Sequence, residues 1–402
     1  QLKLYQEGKV KSRPKLVLDE ANKYNIEAIK LYELFLKDFP KDDKVPQALY
    51  FLGYNYFELG DVAKGEVFYR RLTKEYPKST YVTESNFTLG EYYFEKENYK
   101  EAHKYYVRVV KDKSHRLYSF GWYKLAWSLF KLGEHSKAIA GLRQVIFIGR
   151  KNKGQSESDG RVPQIKLASE AIKDLVLFYG ESGKYKTARS DFKKIVGTKN
   201  LDRMIERLGY YYVDTGNRDG ARYLFKQLIE SDPNAEKAFD YQYQIVNLYS
   251  SAGSSKVLRS ELYGWIQGYG PGSLWAKSNA QNPELVTKSH ALIETTLRNY
   301  VLRQHQAAQN SRSKFSQQQA KAGYQLYFNT FKQTEKSDEM HFFFGELLFD
   351  VGDYERAAYH YLWVSDNAPN SKYMEQASLN ALLALEKNLP QPAEIRKIVG
   401  KS

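Results

Sequence analysis

The chain has no cysteine and only three methionines among 402 residues. Disulfide bonds and thiolate metal sites are therefore excluded, and composition leaves the redox compartment open. No run of about 18 apolar residues occurs, so no membrane-spanning helix or secretory leader is legible in the sequence. Recognisable catalytic signatures are missing as well. The segment GESGKY at Gly180–Tyr185 lacks the spacing and the Ser/Thr of a phosphate-binding loop, and Gly183 suits a hairpin turn. GYGPGS, starting at Gly268, follows no predicted strand, which argues against a dinucleotide site. The seven histidines, His103, His115, His135, His290, His305, His341 and His360, include no pair at the i, i+4 spacing of a helical metal site. Carboxylate pairs such as Asp42 with Asp43 lie in polar stretches, where a solvated face is the simpler reading than acid/base work needing a cleft. These absences predict a protein that is not an enzyme and needs no cofactor or metal.

What the chain does have is aromatic residues and positive charge. Hydrophobic residues make up 42%, aromatics 15%, and there are 34 tyrosines, more than a core usually requires. Tyrosine suits surfaces that are both wet and adhesive. Lys and Arg number 61 against 47 Asp and Glu, a formal charge of +14, which fits an acidic protein partner, nucleic acid or anionic lipid. Along the chain the basic residues look dispersed, as in Lys104, Arg108 and Lys111, and dispersed charge reads as a solvated face.

A pattern of leucine, glycine, tyrosine, glycine, small residue, aromatic and proline recurs. It runs through Leu52, Gly53, Tyr56, Gly60, Gly65, Tyr69 and Pro77, again through Leu208, Gly209, Tyr212, Gly216, Ala221, Phe225 and Pro233, and around Gly345, Gly352, Ala357, Tyr361 and Pro369. Repetition at this period signals a solenoid whose units bury their apolar faces against their neighbours. Val45–Leu59 and Val62–Tyr76 read as two helices joined by a turn at Gly60 and Asp61. Further units centre on Gly90 with Ala102, Ala126 with Ala138, and Tyr179 with Ala188. A weaker one runs through Ile245, Tyr249 and Gly253. Small residues let paired helices approach, and turn glycines suit a helix end that needs positive φ.

These motifs resemble the tetratricopeptide repeat over roughly residues 24–266 and again 338–389, with some spacings longer than the family's usual 34 residues. The expected fold is all-α, a right-handed superhelical solenoid of helical hairpins in two lobes. Residues 1–23 are expected as an N-terminal extension and 24–267 as an array of about seven units with a loop insertion at 149–163. A linker at 268–283 precedes a helical lobe over 284–402, with one further unit at 338–369 and a capping helix. Helices over 284–309 and 312–333 suit either a cap on the array or an oligomer interface. The stretch from Ala28 to Gly90, with YELFLKDFP, LYFLGYNYFELGD and RRLTKEYPKS, is similar to bacterial envelope members of the family. Examples are the β-barrel assembly lipoprotein and the periplasmic coordinator of the Tol-Pal system.

In this family the first helix of each hairpin lines a concave groove. The resemblance places Tyr50, Tyr54, Phe57, Phe87, Glu91, Phe94, Tyr123, Trp127 and Phe130 there, eight aromatics in three consecutive units. In the fifth unit the same positions hold Lys173, Leu177 and Gly180, so the stripe fades. Phe57, Phe94 and Phe130 equally suit packing between adjacent first helices. The carboxylate clamp of chaperone-binding members is not carried over, because Tyr50 and Tyr54 stand in its places. An extended peptide or amphipathic helix is the expected ligand. Lys124, Arg203 and Arg207 form an expected basic edge favouring an acidic partner. The implied function is a non-enzymatic scaffold, periplasmic or outer-membrane-associated, with any leader or lipid anchor outside this chain. The alternative is a cytoplasmic regulator that binds nucleic acid or an acidic partner through its basic surface.

Overall fold

A computed structural model describes residues 15–151, 162–251 and 255–389. Residues 1–14 of the expected extension, 152–161 of the expected loop insertion, Gly253 and residues 390–402 lie outside the described residues. Every regular element among the described residues is an α-helix. In order they are α1 (Lys15–Asp38), α2 (Val45–Glu58), α3 (Val62–Glu75), α4 (Val82–Glu95), α5 (Tyr99–Val109), α6 (Tyr118–Lys131), α7 (His135–Lys151), α8 (Val162–Ser182), α9 (Tyr185–Val196) and α10 (Leu201–Asp214). There follow α11 (Arg218–Ser231), α12 (Glu236–Ser250), α13 (Ser255–Tyr269), α14 (Leu274–Ser278), α15 (Pro283–Ser311), α16 (Lys314–Thr330), α17 (Ser337–Asp350), α18 (Tyr354–Asn367) and α19 (Met374–Asn388). Many helices adjacent in sequence pack on one another, among them α2 with α3, α4 with α5 and α6 with α7 and, later in the chain, α15 with α16 and α17 with α18, as a helical solenoid requires.

Local chemistry sets the turns. Between α2 and α3 the backbone turns left-handed at Gly60 (φ +80°), where a Cβ would be costly, and Asp61 then caps α3 by accepting from the Lys64 amide. Asn98 caps α5 the same way, accepting from the Glu101 amide at 3.2 Å. In that turn a non-glycine residue, Glu97, takes the left-handed conformation at φ 57°.

In three hairpins a glycine of the first helix faces an aromatic ring of the second. The Tyr69 ring lies against Gly53, Tyr106 against Gly90 and Tyr361 against Gly345, and all three rings are buried. A Cβ built on Gly90 would stand 2.6 Å from Tyr106 Cε1, and one on Gly345 would stand 2.7 Å from Tyr361 Cε1. The recurring glycine therefore makes a slot for a ring, and close packing tolerates nothing larger.

The chain divides into two compact units, Gln1–Thr215 and Gly216–Ser402. This places the division well before the linker expected at 268–283. That segment instead forms α14, and Trp275 is buried with Phe239, Trp265 and Tyr269. Its indole N–H donates to the Ala235 carbonyl at 2.8 Å, and Asn279 donates to the Asn234 carbonyl at 2.9 Å. A proline- and glycine-bearing segment read as a break is thus held by one large aromatic. The long α15 and α16 contribute Ile293, Leu297, Val301, Tyr324 and Tyr327 to the second unit's own core.

Candidate partner-binding surfaces

In the first unit the first helices of successive hairpins are α2, α4, α6 and α8, and they meet through aromatic and carboxylate side chains. Tyr50 stacks on Tyr81 (ring centroids 4.8 Å apart) and donates its hydroxyl to Glu84 at 2.8 Å. Phe57 stacks on Tyr69 and meets Tyr92 edge-on. Phe87 meets Tyr106 edge-on, and Phe94 does the same with Tyr99. Tyr123 and Trp127 converge on one carboxylate, donating to Asp174 Oδ2 at 2.7 and 3.1 Å. Phe130 stacks face to face on the fully buried Phe178, with centroids 4.2 Å apart, and Trp127 meets the same ring edge-on. Of the eight aromatics only Tyr54 is an exposed side chain, at 45%.

The residues of α8 that meet this stripe are Asp174 and Phe178, one position on from the expected Lys173 and Leu177. Lys173 is exposed and paired with Glu170 at 2.8 Å. One residue is about 100° of helix rotation, so α8 docks with a phase that the register of the earlier units does not transfer. Gly180 also has a use that the sequence reading did not assign. The Tyr211 ring lies against it, and the Tyr211 hydroxyl donates to the adjacent Glu181. Gly90 with Glu91 receives Tyr106, and Gly345 with Glu346 receives Tyr361 at 2.6 Å, by the same arrangement. A glycine followed by glutamate forms a seat for a tyrosine, the ring on the glycine and the hydroxyl on the carboxylate. The second residue of the Gly53 seat is Tyr54, and the buried Tyr69 hydroxyl there makes no hydrogen bond of standard geometry.

These bonds set the electrostatics of the face. Burial, with the Asp174 carboxylate, pushes Tyr123 up to about 12. Asp174 is itself raised by burial, although Tyr123 and Trp127 donate to it. Glu84 behaves oppositely: burial raises it, but hydrogen bonds from Arg116 and Tyr50 and the nearby positive charge bring it below its ordinary value. Of the expected basic edge, Lys124 is already engaged, paired with Glu91 at 2.7 Å and lying over the Phe94 ring. Arg203 and Arg207 are exposed on α10.

On the second-helix side of the same unit lie two clefts. One of about 1120 Å³ is lined by Arg70, Lys74, Lys104, Arg108 and Lys111 with Glu101 and Asp112. Another, of about 680 Å³, lies between α7 and α9.

No group of three or more His, Cys, Asp or Glu side chains among the described residues is placed to hold a metal ion. None of the described helices is long and apolar enough to cross a membrane. Gly183 of the GESGKY segment is the turn between α8 and α9. Two histidines far apart in sequence do meet. His341 Nδ1 and His360 Nδ1 are 2.8 Å apart, boxed by Phe328, Phe344 and Trp363, with the Trp363 ring stacked on His341 at 3.9 Å. One neutral imidazole donates to the other. Burial lowers His341 to about 3, helped by His360, and lowers His360 to about 4, helped by Arg356.

Among curated proteins no sequence matches the chain. Similar solved structures include a tetratricopeptide repeat protein from Parabacteroides merdae (14% identity, 84% of this chain and 98% of that one, TM-score 0.32). A second is Naa15/Naa10 bound to HypK-THB (16% identity, 93% of this chain, TM-score 0.36), of which the chain spans 62%. A third is YrrB, described as a TPR protein with an unusual peptide-binding site (14% identity, 62% of this chain and 97% of that one, TM-score 0.23). A family model described as tetratricopeptide repeat matches residues 47–79, 121–146 and 206–235, and another of the same description matches 83–111. The matched stretches fall on α2 to α7 and on α10 and α11, and in these stretches the chain carries tetratricopeptide repeats.

Proposed function

We propose that the chain is a non-enzymatic protein-interaction scaffold of the bacterial cell envelope. Its first-helix face between Tyr50 and Phe130 would receive an extended peptide or amphipathic helix. The tetratricopeptide repeats support the scaffold role, and the likeness of residues 28–90 to envelope members supports the compartment. Tyr54 carries the choice of face. Of the aromatics in this row it is the one left exposed, at 45%, and its hydroxyl bonds to Glu58 of its own helix rather than to a neighbouring hairpin. A half-exposed tyrosine supplies apolar area at low entropic cost and a hydroxyl for a partner's backbone. Tyr50, Phe57, Trp127 and Phe130 then act as the rigid floor that holds Tyr54 and shapes the ligand path.

A photo-crosslinking residue at position 54 should capture a discrete partner from the source organism's envelope fraction, whereas one at Val67, exposed on the second helix α3, should not. Identical adducts at both positions, or loss of none of them in Tyr54→Ala competition, would reject this face. Fractionation of the product of the full reading frame tests the compartment, and a purely cytosolic product would reject it.

A further inference from the structure

Positive charge in the first unit is segregated by helix, although it looks dispersed along the sequence. The second helices α3, α5, α7 and α9 carry fifteen Lys and Arg against four Asp and Glu. The first helices α2, α4, α6 and α8 carry four against seven. Tyrosine–carboxylate bonding accounts for part of this asymmetry. Glu84, Asp174 and Glu181 are occupied as acceptors where first helices meet, so these carboxylates do not offset the excess of cations on the second helices. Helix α7 has no acidic residue at all.

We infer that the cleft between α7 and α9 docks an acidic amphipathic segment of a partner protein. The cleft has an apolar floor formed by Trp122, Leu129, Ile146, Phe147 and Ile195. Its rim carries Lys137, Arg143, Arg150 and Lys194, and no carboxylate among the described residues lines it. Phe147 is 64% exposed, a large ring on a surface where a free monomer gains nothing by leaving it wet. Lys137 is paired with Glu134 at 3.1 Å, both side chains more than half exposed, while Arg143, Arg150 and Lys194 have no ion pair among the described residues. Arg143 also lines an adjoining cleft, where Lys184 donates to Ser136 and the carboxylate of Asp191 already accepts from Tyr179. The cationic track therefore continues past the apolar floor.

Both features select the same ligand. Apolar side chains at helical spacing would cover Phe147, and carboxylates flanking them would meet the rim. Nucleic acid answers only the charge. Its backbone would leave the floor unfilled, and Phe147 is the one exposed aromatic there for a base to stack on. A membrane surface meets a protruding apolar edge rather than a recessed one.

The test uses the full chain and three fluorescent probes: an 18-residue amphipathic helix of Glu, Leu and Phe, a scrambled peptide of the same composition, and a 20-nucleotide single-stranded DNA. At physiological salt the amphipathic peptide should bind tightest. Arg143→Glu with Lys194→Glu should weaken it by about tenfold or more, and Phe147→Ser should weaken it several-fold without affecting DNA. All three side chains are exposed, so unchanged thermal melts will show that the fold survives. Tyr54→Ala should leave this binding intact, which separates it from the first-helix face. Tighter binding of DNA or of the scrambled peptide, or indifference to Phe147→Ser, would overturn the assignment.

Discussion

Lowering the pH from 7 to 5 should destabilise the second unit through the buried His341–His360 pair. In an unfolded chain an imidazole titrates near 6.5, whereas burial holds His341 at about 3 and His360 at about 4. The folded form therefore binds fewer protons than the unfolded form throughout the interval from about 6.5 down to about 4. Stability is full above the unfolded value and falls as pH drops through it, flattening only when the folded pair begins to protonate. At pH 5 both rings are still neutral in the folded state, so the loss is fixed by the distance from 6.5. About 1.5 pH units at about 1.4 kcal/mol each gives about 2 kcal/mol per histidine and about 4 kcal/mol for the pair. Urea unfolding at constant ionic strength, followed by tryptophan fluorescence at pH 7, 6 and 5, would measure the slope. His341→Asn with His360→Asn keeps an amide near each Nδ1 and cannot titrate, so its slope should be shallower by that amount. His103, His290 and His305, also lowered by burial, remain in both proteins and cancel. Equal slopes, or either ring titrating near 6.5 by NMR, would refute the reasoning.

Three further outcomes follow from the packing. Gly90→Ala and Gly345→Ala should each cost about 1–3 kcal/mol, because the added methyl meets the Tyr106 or Tyr361 ring; unchanged thermal midpoints would show that the rings can move aside. Tyr69→Phe removes a buried hydroxyl whose one polar neighbour, Thr88, is not in standard hydrogen-bond geometry and should be close to neutral, whereas Tyr106→Phe removes the donor to Glu91 and should cost about 1–3 kcal/mol. Reversal of that order in chemical denaturation would contradict the seat described above. Glu261, 4% exposed, accepts from Arg222, Lys226 and Gln242, so Glu261→Gln should destabilise the second unit by about 3–5 kcal/mol, measured by calorimetry.

Much of the hairpin architecture was legible because its signals are local. Gly60 and Gly183 mark turns, and a glycine with a ring sixteen residues on marks packing within one hairpin. Contacts between hairpins were not legible. Tyr50 meets Glu84 and Tyr123 meets Asp174 at separations of 34 and 51 residues, and variable connections shift the phase of the receiving helix. Such a shift moved the seam from Lys173 and Leu177 to Asp174 and Phe178. His341 and His360 escaped a search at helical spacing because they meet across a hairpin, nineteen residues apart. The charge segregation was hidden for a related reason: strongly basic second helices alternate with first helices that together hold more acid than base, so any long window averages them.

The glycine slots carry an evolutionary consequence. Gly53 and Tyr69, Gly90 and Tyr106, and Gly345 and Tyr361 each belong to a single hairpin, so slot and ring are inherited together. Duplicating or deleting one of these three hairpins leaves no ring without its slot, whereas the Gly180 slot takes its ring, Tyr211, from the following hairpin and is broken by such an event. Bonds such as Tyr50 to Glu84 join one hairpin to the next and are orphaned by the same event. Gains and losses of units should therefore leave the slots within hairpins alone and be followed by substitutions at the seams, the Gly180 slot among them.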